Sequence, residues 1–82
     1  MEQHDVAVEV GRRLVRFRSE AGLTLEEAAA RTALAADRLI DAESGTQVLD
    51  EAEIARLAST YGVDVTEIFG GRVTPLQNYA GY

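Results

Sequence analysis

The 82 residues carry 14 acidic and 8 basic side chains, a net charge of -6, and 46% hydrophobic residues. That content fits one small packed domain and leaves no room for a second. There is no cysteine, so disulfides and thiolate metal sites are excluded and packing alone must hold the chain together.

The opening MEQHDVAVEVGRR is polar and acidic before its first apolar residues, unlike a secretion signal. No apolar run is long enough to cross a bilayer, and a cytoplasmic site of action is the expectation. Every basic residue is an arginine. Because nucleic-acid binding draws on counterions released when Lys and Arg neutralise phosphates, an acidic chain is disfavoured as a sequence-independent binder, and the placement of its arginines matters more than the total.

Val6, Val10, Leu14, Phe17 and Ala21 step by three or four residues and predict a first helix with one buried stripe, ending near Gly22. Arg12, Arg13 and Arg16 fall on its wet side. Thr24-Leu25-Glu26-Glu27 has the form of a capping box, in which hydroxyl and carboxylate each satisfy a backbone N–H, so a short second helix should run to about Arg31. Leu34 and Ala35 enter a third helix that buries Leu39 and Ala42 and stops at Gly45. Asp50 with Glu53 repeats the box before the amphipathic set Ile54, Leu57, Ala58 and Tyr61, closed by Gly62. Asp64 with Glu67 opens a fifth helix whose Val65, Ile68 and Phe69 face inward, and Gly70-Gly71 ends the compact part at residues 1–71. No segment alternates strongly enough to read as a strand.

Residues 72–82 form a C-terminal tail of different character. Thr74-Pro75-Leu76-Gln77 offers an N-cap, a proline at the first helical position and a glutamine at the third, so one further helical turn is expected. Val73, Leu76, Tyr79 and Tyr82 call for cover, either by folding back on their own domain or in a subunit contact.

A short helix, a tight turn, a second short helix, Glu-x-Gly and then an amphipathic helix is a distinctive order. VGRRLVRFRSEAGLTLEEAAARTALAADRLIDAESG, continued by Ala55-Arg56-Leu57-Ala58 and Tyr61-Gly62-Val63, resembles the Cro/C1-type (XRE) helix-turn-helix family over roughly residues 10 to 69. Val10-Gly11, Arg18, Gly22-Leu23-Thr24, Ala28-Ala29, Leu39 and Glu43-Ser44-Gly45 carry the resemblance. It implies an all-α, five-helix, lambda-repressor-like domain acting as a dimeric DNA-binding transcriptional regulator, often a repressor. It also implies an ion pair between Arg18 and Glu43. Each of these lies one turn beyond a core leucine, at the edge of a buried stripe, where a bridge fixing helix packing fits better than catalysis.

The outward face of the third helix departs from the family pattern. Ala36, Asp37, Ile40, Asp41 and Ser44 point away from Leu39 and Ala42, where the family commonly has Gln, Ser, Arg, Lys or Asn. Leu25 stands where a backbone-contacting glutamine often follows the helix-two cap. Between Thr24 and Leu49, Arg31 and Arg38 stand against Glu26, Glu27, Asp37, Asp41 and Glu43. Alanine and isoleucine can still touch a thymine methyl and aspartate can accept from cytosine N4, so base reading by Ala36, Asp37, Arg38, Ile40 and Asp41 is one expectation. Arg12, Arg13 and Arg16 would then lie near the DNA backbone, with Arg38 extending their patch. A plainer reading pairs those helix-one arginines with Glu9 and Glu20 at helical spacing.

A second expectation is a protein-interaction module with weakened DNA binding. In it Leu25, Ala36, Ile40, Val48 and Leu49 offer an apolar patch with an acidic rim to a protein partner, including another helix-turn-helix subunit in a mixed dimer. Leu25 and Leu49 could equally cover the core edge. His4 is the one histidine, and no phosphate-binding glycine loop, nucleophile motif or paired carboxylates stand out. No enzyme activity, cofactor, metal or small-molecule substrate is expected.

Overall fold

The computed structural model describes residues 2–70, with side chains from residue 6 onward. Among these residues five helices follow one another: α1 (Glu2–Glu20), α2 (Leu25–Thr32), α3 (Ala36–Ser44), α4 (Glu51–Tyr61) and α5 (Val65–Ile68). Among the described residues there is no strand. The tail at 72–82, and the side chain of His4, lie outside the described residues.

The helix starts follow the expected capping chemistry. Thr24 Oγ1 accepts from the Glu27 N–H at 3.1 Å while Glu27 Oε1 accepts from the Thr24 N–H at 2.9 Å. Asp50 and Glu53 make the same reciprocal pair at 2.8 and 2.9 Å. At α5 the Asp64 N–H donates to Glu67 Oε2 at 3.1 Å. Each box gives the first-turn donors acceptors that the helix itself lacks.

The first four helices end alike, with an N–H reaching back five residues: Leu23 to Arg18 O, Leu34 to Ala29 O, Thr46 to Asp41 O and Val63 to Ala58 O. This closure needs a left-handed residue just before the donor, and Gly22, Gly45 and Gly62 supply it. At the end of α2 the residue is Ala33, with φ 58 and ψ 30.

Leu14 and Phe17 from α1, Ala28 and Ala29 from α2, Leu39 and Ala42 from α3, Ile54, Leu57, Ala58 and Tyr61 from α4, and Ile68 from α5 share one core with Leu34 and Leu49 from the connections. The stripe of α1 differs from expectation in its first and last members. Ala7 is buried while Val6 is exposed, because the buried side of α1 runs through Ala7 and Gly11, and Ala21 is exposed beyond the end of the helix. Where α1 crosses α3, a Cβ on Gly11 would lie 2.5 Å from Glu43 O and 2.7 Å from Ala42 O, so only glycine lets the two backbones approach. Leu34 and Ala35 belong to the turn rather than to α3, although Leu34 still fills the core. In α5 only Ile68 is fully buried. Phe69 is half-buried and Val65 exposed, since four residues make too short a helix to bury a wider face.

Candidate functional site

Helices α2 and α3 are joined by three residues, Ala33 to Ala35. The left-handed Ala33 reverses the chain, and the C-terminal carbonyls of α2 are drawn inward: Thr32 Oγ1 donates to Ala28 O at 2.7 Å, and Arg56 Nε of α4 donates to Thr32 O at 2.8 Å. Leu34 and Leu39 then anchor the turn and α3 in the core. Ala35 gives α3 no side-chain cap, and Asp37 places its charge in the first turn, where the helix dipole favours an anion.

Two ion pairs fix the posture of α3. Near its C-terminal end, Glu43 receives Arg18 in a two-pronged pair, Nε to Oε2 at 2.7 Å and Nη2 to Oε1 at 3.1 Å, while Arg18 Nη1 donates to Leu23 O at 3.1 Å. Arg18 is 18% and Glu43 8% exposed in their side chains, and the hydrogen bonds to Glu43 raise the Arg18 pKa further. Nearer its start, Arg38 is gripped by Glu53, Nε to Oε2 at 2.6 Å and Nη2 to Oε1 at 2.8 Å. Glu53 thus caps α4 and binds Arg38 with the same carboxylate. The Arg38 bonds and the Asp50 N–H hold its pKa down at about 2.

The second pair changes the expected site. Arg38 is the one arginine of α3, and its guanidinium is turned to α4 instead of extending a basic patch. The other members of the expected face divide. Ile40, at 47% exposure, projects with Asp37 and Ser44, and Asp41 is half-buried. Ser44 Oγ is tied to the helix end by its bond to Asp41 O at 3.0 Å. Leu25 and Ala36 are half-buried and pack on the core, and Leu49 is part of it. They cover the core edge. Of the expected apolar patch, Ile40 and the 70% exposed Val48 remain open.

Arg12, Arg13 and Arg16 come together as expected, and with Glu9 they line a shallow recess on α1. Arg13 pairs with Glu9 at 3.7 Å and Arg16 with Glu20 at 3.8 Å, which matches the plainer reading. Gly11 faces α3. With about 100° per residue, the three arginines stand on flanks of α1 turned away from that contact. Arg13 instead lies against Gly70.

Two features escaped sequence reasoning. Ala33 carries no turn signal, since alanine is a poor choice for the left-handed region. The Arg38–Glu53 pair spans 15 residues, and Glu53 had a complete local role as a cap. Among the described residues no group of His, Asp and Glu could hold a metal ion, and no helix is long and apolar enough to cross a membrane. A comparison with curated proteins finds no match. A family model described as a helix-turn-helix domain matches residues 9–68, which span α2, the turn and α3 entirely.

Proposed function

The chain belongs to the helix-turn-helix domain family, and on that premise we propose that it is a non-enzymatic, cytoplasmic DNA-binding regulator of transcription that works as a dimer. Helix-turn-helix domains as a class bind DNA by seating the second helix of the motif in the major groove. The observation that carries this reading is the outward projection of Asp37, Ile40 and Ser44 from an α3 held by the core and by two ion pairs. Ile40 suits a thymine methyl group, and Asp37 and Asp41 suit the N4 amino groups of cytosine. A dimer would set two such helices about 34 Å apart, one turn of duplex.

With Arg38 held by Glu53, few cations flank this face, so recognition would rest on base edges more than on phosphates. Selection from fragmented genomic DNA at low salt should recover a two-fold symmetric site, with a shallow dependence of affinity on salt. Ile40→Asp should remove the sequence preference. Recovery of no DNA at all would overturn the reading.

A second reading rests on the acidic surroundings of Ile40. Asp37 and Asp41 flank it on α3, and Glu26 and Glu27 open α2. A protein partner with a basic, apolar surface, including another helix-turn-helix subunit, fits such a face. Under this reading a partner identified from lysate is lost with Ile40→Asp while the helical circular dichroism spectrum is kept. Loss of no partner would remove it.

A further inference from the structure

The α3–α4 connection, residues 45–50, holds one further polar side chain beside α3. Thr46 and Gln47 both donate their backbone N–H to Asp41 O, at 3.0 and 3.3 Å, and Leu49 is buried in the core, so the backbone of Gln47 is fixed from both sides. Its side chain is exposed, yet it has a partner: Arg38 Nη1 donates to Gln47 Oε1 at 3.3 Å. Arg38 is itself gripped by both oxygens of Glu53. A guanidinium offers donors and no acceptor, so the carboxamide can meet it only through its oxygen. The Gln47 NH2 group therefore turns away from Arg38, carrying two N–H donors that find no acceptor among the described residues.

At about 100° per residue Arg38 stands on a flank of α3, between Asp41 on the outward side and the buried Ala42, and Gln47 is bonded to that flank. When a helix lies in the major groove, its outward side meets base edges and its flanks run beside the phosphodiester strands. On the premise that α3 binds DNA, we propose that Gln47 donates to a phosphate oxygen of the backbone, and that Arg38 is the positioning residue that keeps the NH2 group turned to it. A backbone phosphate accepts and does not donate, so the amide nitrogen is the end it requires. The contact is neutral. It adds hold without releasing a counterion, on a face where the Arg38–Glu53 pair leaves Asp37 and Asp41 as the charges of the outward side.

Affinity for the selected DNA site, measured at several salt concentrations and on duplexes varied one base pair at a time, tests both roles. Gln47→Ala should weaken binding roughly tenfold and equally across those duplexes, with the slope of log affinity against log salt unchanged. Gln47→Glu offers Arg38 a second carboxylate and turns an anion to the phosphate. It should cost more than Gln47→Ala, with a thermal melt no lower than that of the unmodified chain. Arg38→Met should cost less when residue 47 is already alanine, because the share that passes through Gln47 is then gone. Unchanged affinity in Gln47→Ala, a loss confined to one base pair, or a slope reduced by about 0.9 would overturn the neutral phosphate contact. Equal losses from Arg38→Met in both backgrounds would overturn the positioning role. All of these are read on a recovered site. A selection that recovers no DNA is the separate result that removes the DNA-binding function, and this contact with it.

Discussion

Replacing Glu43 by alanine removes both prongs of its pair with Arg18 and leaves that side chain, 18% exposed in the intact protein, with the Leu23 carbonyl as its acceptor among the described residues. Breaking a buried pair from one side costs about 3 to 5 kcal/mol, because the surviving charge has lost its water and its partner. The retained bond to Leu23 and the residual exposure place this variant near the lower end, about 3 kcal/mol. In a domain of this size each kcal/mol lowers the melting temperature by roughly 4–8 °C, so a fall of about 12–24 °C is expected. Urea and thermal denaturation followed by circular dichroism at 222 nm would measure it, with Arg18→Ala and the double variant completing a cycle. The double variant should be little worse than either single one, because the pair acts as a unit. Half-molar salt should leave the loss nearly intact, since partly buried pairs are weakly screened. A cost under about 1 kcal/mol, or a loss erased by salt, would refute the claim that this pair fixes α3 on α1.

Ala33→Gly should stabilise the chain by about 0.5–1 kcal/mol, since relief of a left-handed alanine exceeds the added flexibility of the unfolded chain; equilibrium denaturation measures the sign. Glu53, held near a pKa of about 2 against an ordinary 4.5, contributes stability that is complete above the higher value and lost as pH falls through the lower. Glu53→Gln should flatten the acid limb of a stability-versus-pH curve between those values, and an unchanged limb would count against the pair. Burial pushes the Tyr61 phenol up to about 12, and its hydroxyl has no hydrogen-bond partner among the described residues. Its contribution is therefore present below the ordinary value of 10 and lost as pH rises through 12. Tyr61→Phe should be neutral or stabilising at pH 7 and remove that part of the alkaline loss, measured by urea titration at both pH values.

The helices were legible because their signals are local. Thr24 with Glu27 and Asp50 with Glu53 are caps that declare themselves within four residues, and Gly22, Gly45 and Gly62 mark the stops. The Arg18–Glu43 pair was legible through the family resemblance, which supplied a contact across 25 residues that no local pattern could. The face of α3 was only half legible. Helical periodicity separates inward from outward, yet it cannot say that Arg38 will bend back to α4 or that Leu25 will pack on the core. A carboxylate with two oxygens can cap a helix and bind an arginine together, so reading Glu53 as a cap left its second role unseen.

That second role bears on what α3 can bind. Of the four charged residues in α3, Glu43 and Arg38 are consumed in holding the helix to α1 and α4, and Asp37 and Asp41 are left to the outward side. Of the two interactions that hold the helix, the Arg38–Glu53 pair is thus the one that takes positive charge from its face. For a DNA reader, rigidity favours base discrimination while the missing cations weaken the sequence-independent grip, since each phosphate neutralised adds about 0.9 to the steepness of the salt dependence. For a protein-binding face, the same rigidity lowers the ordering cost of association, and Ile40 with its acidic neighbours supplies an anchor and a charge pattern. Glu53→Gln separates the two. Loosening Arg38 adds a mobile cation beside α3, which should tighten DNA binding and steepen its salt dependence if α3 lies against phosphates. If α3 meets a basic protein surface, the same change should weaken that complex instead.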